Sequence, residues 1–170
     1  MPSPKLLRSG LVAAALVGLT VSHLAAQSAA PFSSFQQDPN QPVDIESDTL
    51  TFDQTAGTVV FSGDVVLVQG TMTMSGARME VFYQDTGREE SDGVTRLVAT
   101  GSVRVASPTE TLEADAAVYD LEAGTLDADG NVRLLQGRNA LTAAAARINI
   151  EAGTGNFTGR VRSTFVPAAE

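Results

Sequence analysis

The chain repeats itself, and this limits its fold more than any other feature. A Gly-x-Val element occurs four times, as Gly63-Asp64-Val65, Gly101-Ser102-Val103, Gly130-Asn131-Val132 and Gly159-Arg160-Val161. The spacings are 38, 29 and 29 residues. A second element keeps the same rhythm: Ile45-Glu46-Ser47-Asp48, Met74-Ser75-Gly76-Ala77, Leu112-Glu113-Ala114-Asp115 and Leu141-Thr142-Ala143-Ala144, spaced by 29, 38 and 29. In both series the extra nine residues fall between Ala77 and Gly101. They belong to an acidic, turn-rich stretch at residues 84–93 (QDTGREESDG). The body of the chain is therefore four copies of a unit of about 29 residues, one with a loop insertion.

Superposing the copies gives columns. Ile45, Met74, Leu112 and Leu141 are apolar; Ser47, Gly76, Ala114 and Ala143 are small. Leu50, Met79, Ala117 and Ala146 form a third column, and Phe52, Val81, Tyr119 and Ile148 a fourth. Val59, Leu97, Leu126 and Gly155 come next, then Phe61, Ala99, Ala128 and Phe157. After each glycine stand Val65, Val103, Val132 and Val161, then Leu67, Val105, Leu134 and Ser163. The columns are two residues apart, with polar residues between them. Period two predicts strands with one buried face. The glycine steps, such as Asp129-Gly130-Asn131, read as tight turns between strands. Each unit then holds three or four short strands, giving roughly 12–16 in all and no helix. One unit cannot bury its own face, so units must stack. Two all-β architectures fit: an elongated antiparallel β-jellyroll, or a parallel β-solenoid with one unit per rung. Frequent hairpin-like turns favour the antiparallel form.

Ahead of the repeats, Lys5 and Arg8 precede the apolar run Leu11–Val21, which is followed by the small residues around Ala25-Ala26. This is the three-part pattern of a secretory signal peptide. Its apolar run is short for a spanning helix, which needs about 20 residues. The predicted organisation is a signal peptide at 1–26, a flexible Pro/Gln/Ser-rich arm at 27–42, a β-domain at 43–167 and a tail at 168–170. The chain has no Cys, and its only Lys (Lys5) and only His (His23) lie in the leader. The exported product would carry 9 Arg against 20 acids, a net charge of −11. Without Cys, His or Lys, the usual nucleophiles, bases and zinc ligands are missing. The reading is non-enzymatic, with no cofactor and no metal. The acidity opposes nucleic-acid binding.

The columns resemble the OstA-like family of periplasmic lipopolysaccharide-transport proteins typified by LptA. The resemblance runs from Pro42 to about Pro167. It is carried by Ile45-Glu46-Ser47-Asp48, Phe52, the segment Gly57 to Gly70 (GTVVFSGDVVLVQG), Leu112 to Asp120 (LEADAAVYD) and Ala128 to Val132 (ADGNV). It implies a β-jellyroll that binds lipopolysaccharide by its lipid portion. It also implies head-to-tail self-association, an LptC-like inner-membrane partner and an LptD-like outer-membrane partner. On this basis the inner groove would be lined by Ile45, Phe52, Phe61, Leu67, Met72, Met74, Met79, Val81, Leu97, Leu112, Tyr119, Leu134 and Ile148. The chain departs from the family in its acidic insertion and in having only Arg to meet lipid phosphates. Other functions considered are an LptC-like anchored adaptor and a structural β-solenoid such as an adhesin fragment.

An open stack leaves an unpaired edge at each end, and such edges template strand addition. Val43 and Ile45 mark one predicted edge; Phe157, Val161 and Phe165 mark the other. Arg104, Arg133 and Arg162 share a column whose parity is opposite to the lining. They read as a solvated face paired with acids such as Asp127 and Asp129 rather than as a phosphate grip. Asp127-Ala128-Asp129-Gly130-Asn131 looks like the start of a calcium loop, but Arg138 stands where the closing Glu is needed. Glu113 with Asp115, and Glu89 with Glu90, read as surface charge.

Overall fold

The computed structural model describes residues 32–35, 38, 41–53, 55–84 and 93–166. The predicted signal peptide, most of the acidic insertion and the tail at 168–170 lie outside these residues. The described chain is an antiparallel all-β jellyroll made from one open, ten-stranded sheet. Its strands are β1 (Asp44–Glu46), β2 (Thr49–Asp53), β3 (Thr58–Gln69), β4 (Met72–Gln84), β5 (Gly93–Ala106), β6 (Glu110–Asp120), β7 (Thr125–Gln136), β8 (Asn139–Asn149), β9 (Thr154–Thr158) and β10 (Arg162–Thr164). Neighbours in sequence are neighbours in the sheet from β3 to β8. β1 and β2 both pair with β3, and β9 and β10 both pair with β8. Every pairing is antiparallel, which excludes the solenoid with its parallel rungs.

The glycine steps are not turns between strands, as the sequence suggested. Three of them are bulges inside long strands, and the fourth, Gly159-Arg160, is a bend between β9 and β10, which both pair with β8. The register shifts between Ser62 and Val65, between Thr100 and Val103, and between Asp129 and Val132. At each bulge the glycine and the next residue are both left-handed: φ is 83° and 43° at Gly63-Asp64, and 75° and 49° at Gly130-Asn131. Two consecutive left-handed residues also make the tightest hairpin turn, so the sequence signal is the same. Here the strand continues past them in a new direction, and the bulge is a corner. Each 29-residue unit is thus one hairpin of two long, bent strands, and ten strands replace the expected 12–16.

The corner needs glycine for a second reason. A Cβ on Gly130 would lie 2.8 Å from Cβ of Asp115, and one on Gly101 would lie 2.7 Å from Cβ of Ala77. The residues beneath the four glycines are Asp48, Ala77, Asp115 and Ala144. These are the last members of the second repeated element. The two repeated elements therefore face each other across the corner, which is why they recur at one spacing. Backbone bonds from Asp48 N–H to Gly63 O (3.0 Å) and from Ala144 N–H to Gly159 O (2.9 Å) fasten the two end corners.

The register pairs the sequence columns into lanes. Ile45, Leu67, Met74, Val105, Leu112, Leu134 and Leu141 stand opposite one another from strand to strand. A second lane runs Phe52, Val59, Val81, Leu97, Tyr119, Leu126, Ile148 and Gly155. A third runs Leu50, Phe61, Met79, Ala99, Ala117, Ala128, Ala146 and Phe157. The first lane lies on one side of the corner and the other two on the opposite side. The bend folds these two layers onto one continuous apolar core.

The corner argument gives a paired test. Gly137 is also left-handed (φ 55°), but a Cβ there meets nothing within 4 Å. Gly137→Ala should cost about 1 kcal/mol for the backbone alone. Gly130→Ala adds the clash with Asp115 and should cost about 3 kcal/mol or more. Urea denaturation of both variants checks the difference; equal losses would remove the close approach from the account.

Candidate functional site

The space between the layers is where the predicted lining residues meet. Leu67, Met72, Met74, Met79, Val81, Leu97, Leu112 and Ile148 are fully buried there. Phe61, Tyr119 and Leu134 are buried with slight exposure, and Ile45 packs at the margin. Phe52 is the exception. Its lane position faces the groove opposite Val59, yet it is 59% exposed, as is Leu50. β2 is the last strand on its layer, so no described strand beyond it covers these side chains. The other end is similar: Phe165 is 75% exposed and Val161 is exposed, whereas Phe157 is partly buried. Of the predicted edge residues, Val43 and Ile45 pack partly against the core.

The lanes are apolar because period-two alternation sends every polar neighbour outward. Arg104 and Arg133 both reach Glu113 on the outer face, at 3.1 and 3.5 Å. Their partner is Glu113 rather than Asp127 or Asp129, because Glu113 lies opposite both arginines in the register. Asp127 instead takes Arg147 at 2.5 and 3.0 Å, and this hydrogen-bonded pair raises the Arg147 pKa further. Asp115 accepts from Asn131 Nδ2 at 2.8 Å. A hollow of about 620 Å³ lies along β6, β7, β8 and β9, lined by outward Asp129, Ala145 and Thr158 and by Ala117, Ala128 and Ala146 of the third lane.

Where the rims of the two layers approach, the lining turns polar. Gln69 and Glu110 are buried, Glu110 with only 3% exposure. Tyr119 Oη, from one layer, donates to Gln69 Oε1 in the other at 3.4 Å. Burial pushes the Tyr119 phenol above its ordinary pKa, so it stays protonated as a donor. Gln69 Nε2 donates to the carbonyl of Gln41 at 3.3 Å. Gln136 Nε2 donates to Glu110 at 2.8 Å.

The sequence reading missed the remaining part of this seam. A 3₁₀ turn at Ser33–Phe35 sits against it, in the region expected to be a flexible arm. Phe35 is completely buried and Phe32 nearly so. The Phe32 N–H donates to Glu110 Oε1 at 2.9 Å. Ser34 Oγ donates to Glu110 Oε2 and lies 2.7 Å from Ser107 Oγ. The Phe32 ring stacks on Phe157, with centroids 6.0 Å apart and planes at 28°. Two aromatic residues in a Pro/Gln/Ser-rich stretch were the available signal.

The arrangement offers two apolar walls, a polar seam and two open ends. The burial pattern makes a stability test. Met79→Ala should cost about 2–4 kcal/mol, as large-to-small changes in packed cores do. Phe52→Ala should stay within about 0.5 kcal/mol. Denaturant melts measure both, and a large loss at Phe52 would contradict its exposed position.

Comparison with known proteins agrees with this geometry. A solved structure of LptH from Pseudomonas aeruginosa superposes with a TM-score of 0.69 and 14% identity, covering 78% of this chain and all of that one. LptH is described as the LptA-homologous periplasmic component of the conserved lipopolysaccharide transport device. An uncharacterised protein of Rhizobium meliloti (strain 1021) is 29% identical over 122 residues, which make up 67% of this chain. The aligned region spans 66% of that relative's length. The family described as LptA/(LptD N-terminal domain) LPS transport protein matches residues 44–154. That match covers 111 of the 170 residues, most of the bent sheet and its apolar lanes, and the chain belongs to this family of lipopolysaccharide-transport proteins.

Proposed function

We propose that the chain is a non-enzymatic carrier that holds lipopolysaccharide by its acyl chains and passes it across the periplasm for outer-membrane assembly. The observation that carries this reading is the run of apolar lanes between the layers. They continue from strand to strand, ending at exposed Leu50 and Phe52 on one side and at Gly155 and partly buried Phe157 on the other. Each methylene moved from water into such a groove gains about 0.8 kcal/mol, so a lipid with several chains has ample drive to enter. Methionines at 72, 74 and 79 suit disordered chains, because an unbranched thioether repacks easily. The exported chain's charge of −11 would repel an anionic headgroup. Capture therefore rests on chain burial rather than on electrostatic steering. The leader pattern supports export, and the family supports a place in the transport machine.

Photo-cross-linking in cells that make lipopolysaccharide tests the reading. A photoreactive residue at Met74 or Met79 should capture lipopolysaccharide, and one at Thr73 or Glu80, on the opposite parity, should not. Equal capture from both faces, or none from the inner one, would refute the carrier.

Assembly follows from the open sheet. β1 and β2 have β3 as their only partner, and β9 and β10 have only β8, among the described residues. The two ends differ in sequence, so joining them is head-to-tail and need not close into a ring. Partners would be another copy of this chain, an LptC-like end on the inner-membrane side and an LptD-like end on the outer. Phe165→Asp places a charge on an already exposed end. It should abolish self-association at high concentration, read by analytical ultracentrifugation, with the melting temperature unchanged. Persisting oligomers would show that this end is not the joint.

A further inference from the structure

Residues 32–35 deepen the carrier reading, on which the following rests. We propose that this segment is an internal occupant of the groove mouth, latched by Glu110, and that it leaves when acyl chains enter.

Three observations carry the proposal. First, the segment belongs to neither layer. It is a 3₁₀ turn that bridges the two, hydrogen-bonded to Glu110 at the rim of β6 and stacked on Phe157 of β9. Second, the sheet has a socket for it. Gly155 occupies the column that holds Val59, Leu97 and Leu126 in the other copies. A Cβ at Gly155 would lie 2.7 Å from the Phe32 ring. The missing side chain is therefore the space that the ring fills. Third, the fastening is reversible. No strand pairing holds the turn, and its polar contacts are two to the Glu110 carboxylate and one to the Ser107 hydroxyl. Glu110 keeps Gln136 Nε2 as a donor when the segment departs. The two phenylalanines cover apolar surface of the kind an acyl chain would cover, so the exchange replaces like with like. The occupant keeps the mouth dry in the empty carrier and lowers the apparent affinity by the fraction of molecules in which it is seated.

The chain lacks cysteine, so Ser34→Cys supplies a single reporter thiol, and because it also removes the Ser34 hydroxyl from the latch, its own lipid-free labelling rate is the baseline. The full-length exported protein is mixed with purified rough lipopolysaccharide, with binding read by co-elution and thiol exposure by the rate of maleimide labelling. Labelling should accelerate at least about tenfold at saturation. Gly155→Val should give the same acceleration without lipid, by closing the socket. A Phe32→Ala/Phe35→Ala double variant, still cooperatively folded, should bind lipopolysaccharide about tenfold more tightly. Lipid that co-elutes while the thiol stays protected overturns the internal occupant and leaves the carrier intact. So does a double variant that binds no more tightly than the parent. If neither parent nor double variant retains lipopolysaccharide, the carrier reading fails, and the occupant proposal fails with it.

Discussion

The fold depends on one contact, the approach of a glycine on one strand to a small residue or aspartate on the next, repeated at four corners. A flat sheet of these strands would expose the whole apolar face of every hairpin. Bending each strand at the same level brings the two halves of that face together. The bend needs two consecutive left-handed residues and a partner backbone within van der Waals reach. Gly63, Gly101, Gly130 and Gly159 meet both demands. Residues that follow them in the left-handed region are not glycines, and one of them, Asn131, is tied to Asp115 by its side chain. The strain at the corner is thus offset locally, while the gain is collected along the whole lane.

That division explains how, on the carrier reading, the groove could be both a core and a binding site. Among the described residues the layers are joined covalently at the corners, and at the open seam by a few polar contacts. Tyr119 to Gln69 is a long hydrogen bond, and most of the others meet at Glu110. Parting the rims breaks a few polar contacts and exposes apolar lanes that a lipid would cover again. The carboxylates that could suggest acid–base chemistry are engaged on the far face by arginine or asparagine. They stabilise the sheet modestly, as exposed pairs do.

Much of this was legible in the sequence. The 29-residue recurrence gave the unit, and the period of two gave the buried faces, because side-chain alternation in strands is rigid. The meaning of the glycines was not legible. A left-handed pair serves equally for a hairpin turn and for a corner, and only the register at Asp129 and Val132 separates them. Column membership also did not fix burial. Phe52 shares its column with Val81, Tyr119 and Ile148, but as part of a terminal strand it has no neighbour on one side. The buried Phe32 and Phe35 were hidden by their surroundings. Their flanks read as a linker, and their socket at Gly155 looked only like a lapse in the repeat.

The same lapse distinguishes the two ends of the sheet. At the first end, β2 carries Leu50 and Phe52 in full view. At the last, Gly155 interrupts the lane and Phe157 is held under the Phe32 ring. An end that keeps its aromatic residues exposed can add a strand at once. The last end covers only Phe157, for Phe165 beyond it stays exposed. For modules of like charge, the repulsion between bodies is screened beyond about 8 Å at physiological ionic strength, so the short-range apolar contact decides whether they join. On the carrier reading, a lipid that displaced the Phe32 segment would uncover Phe157 at one end of the module and leave the other end unchanged.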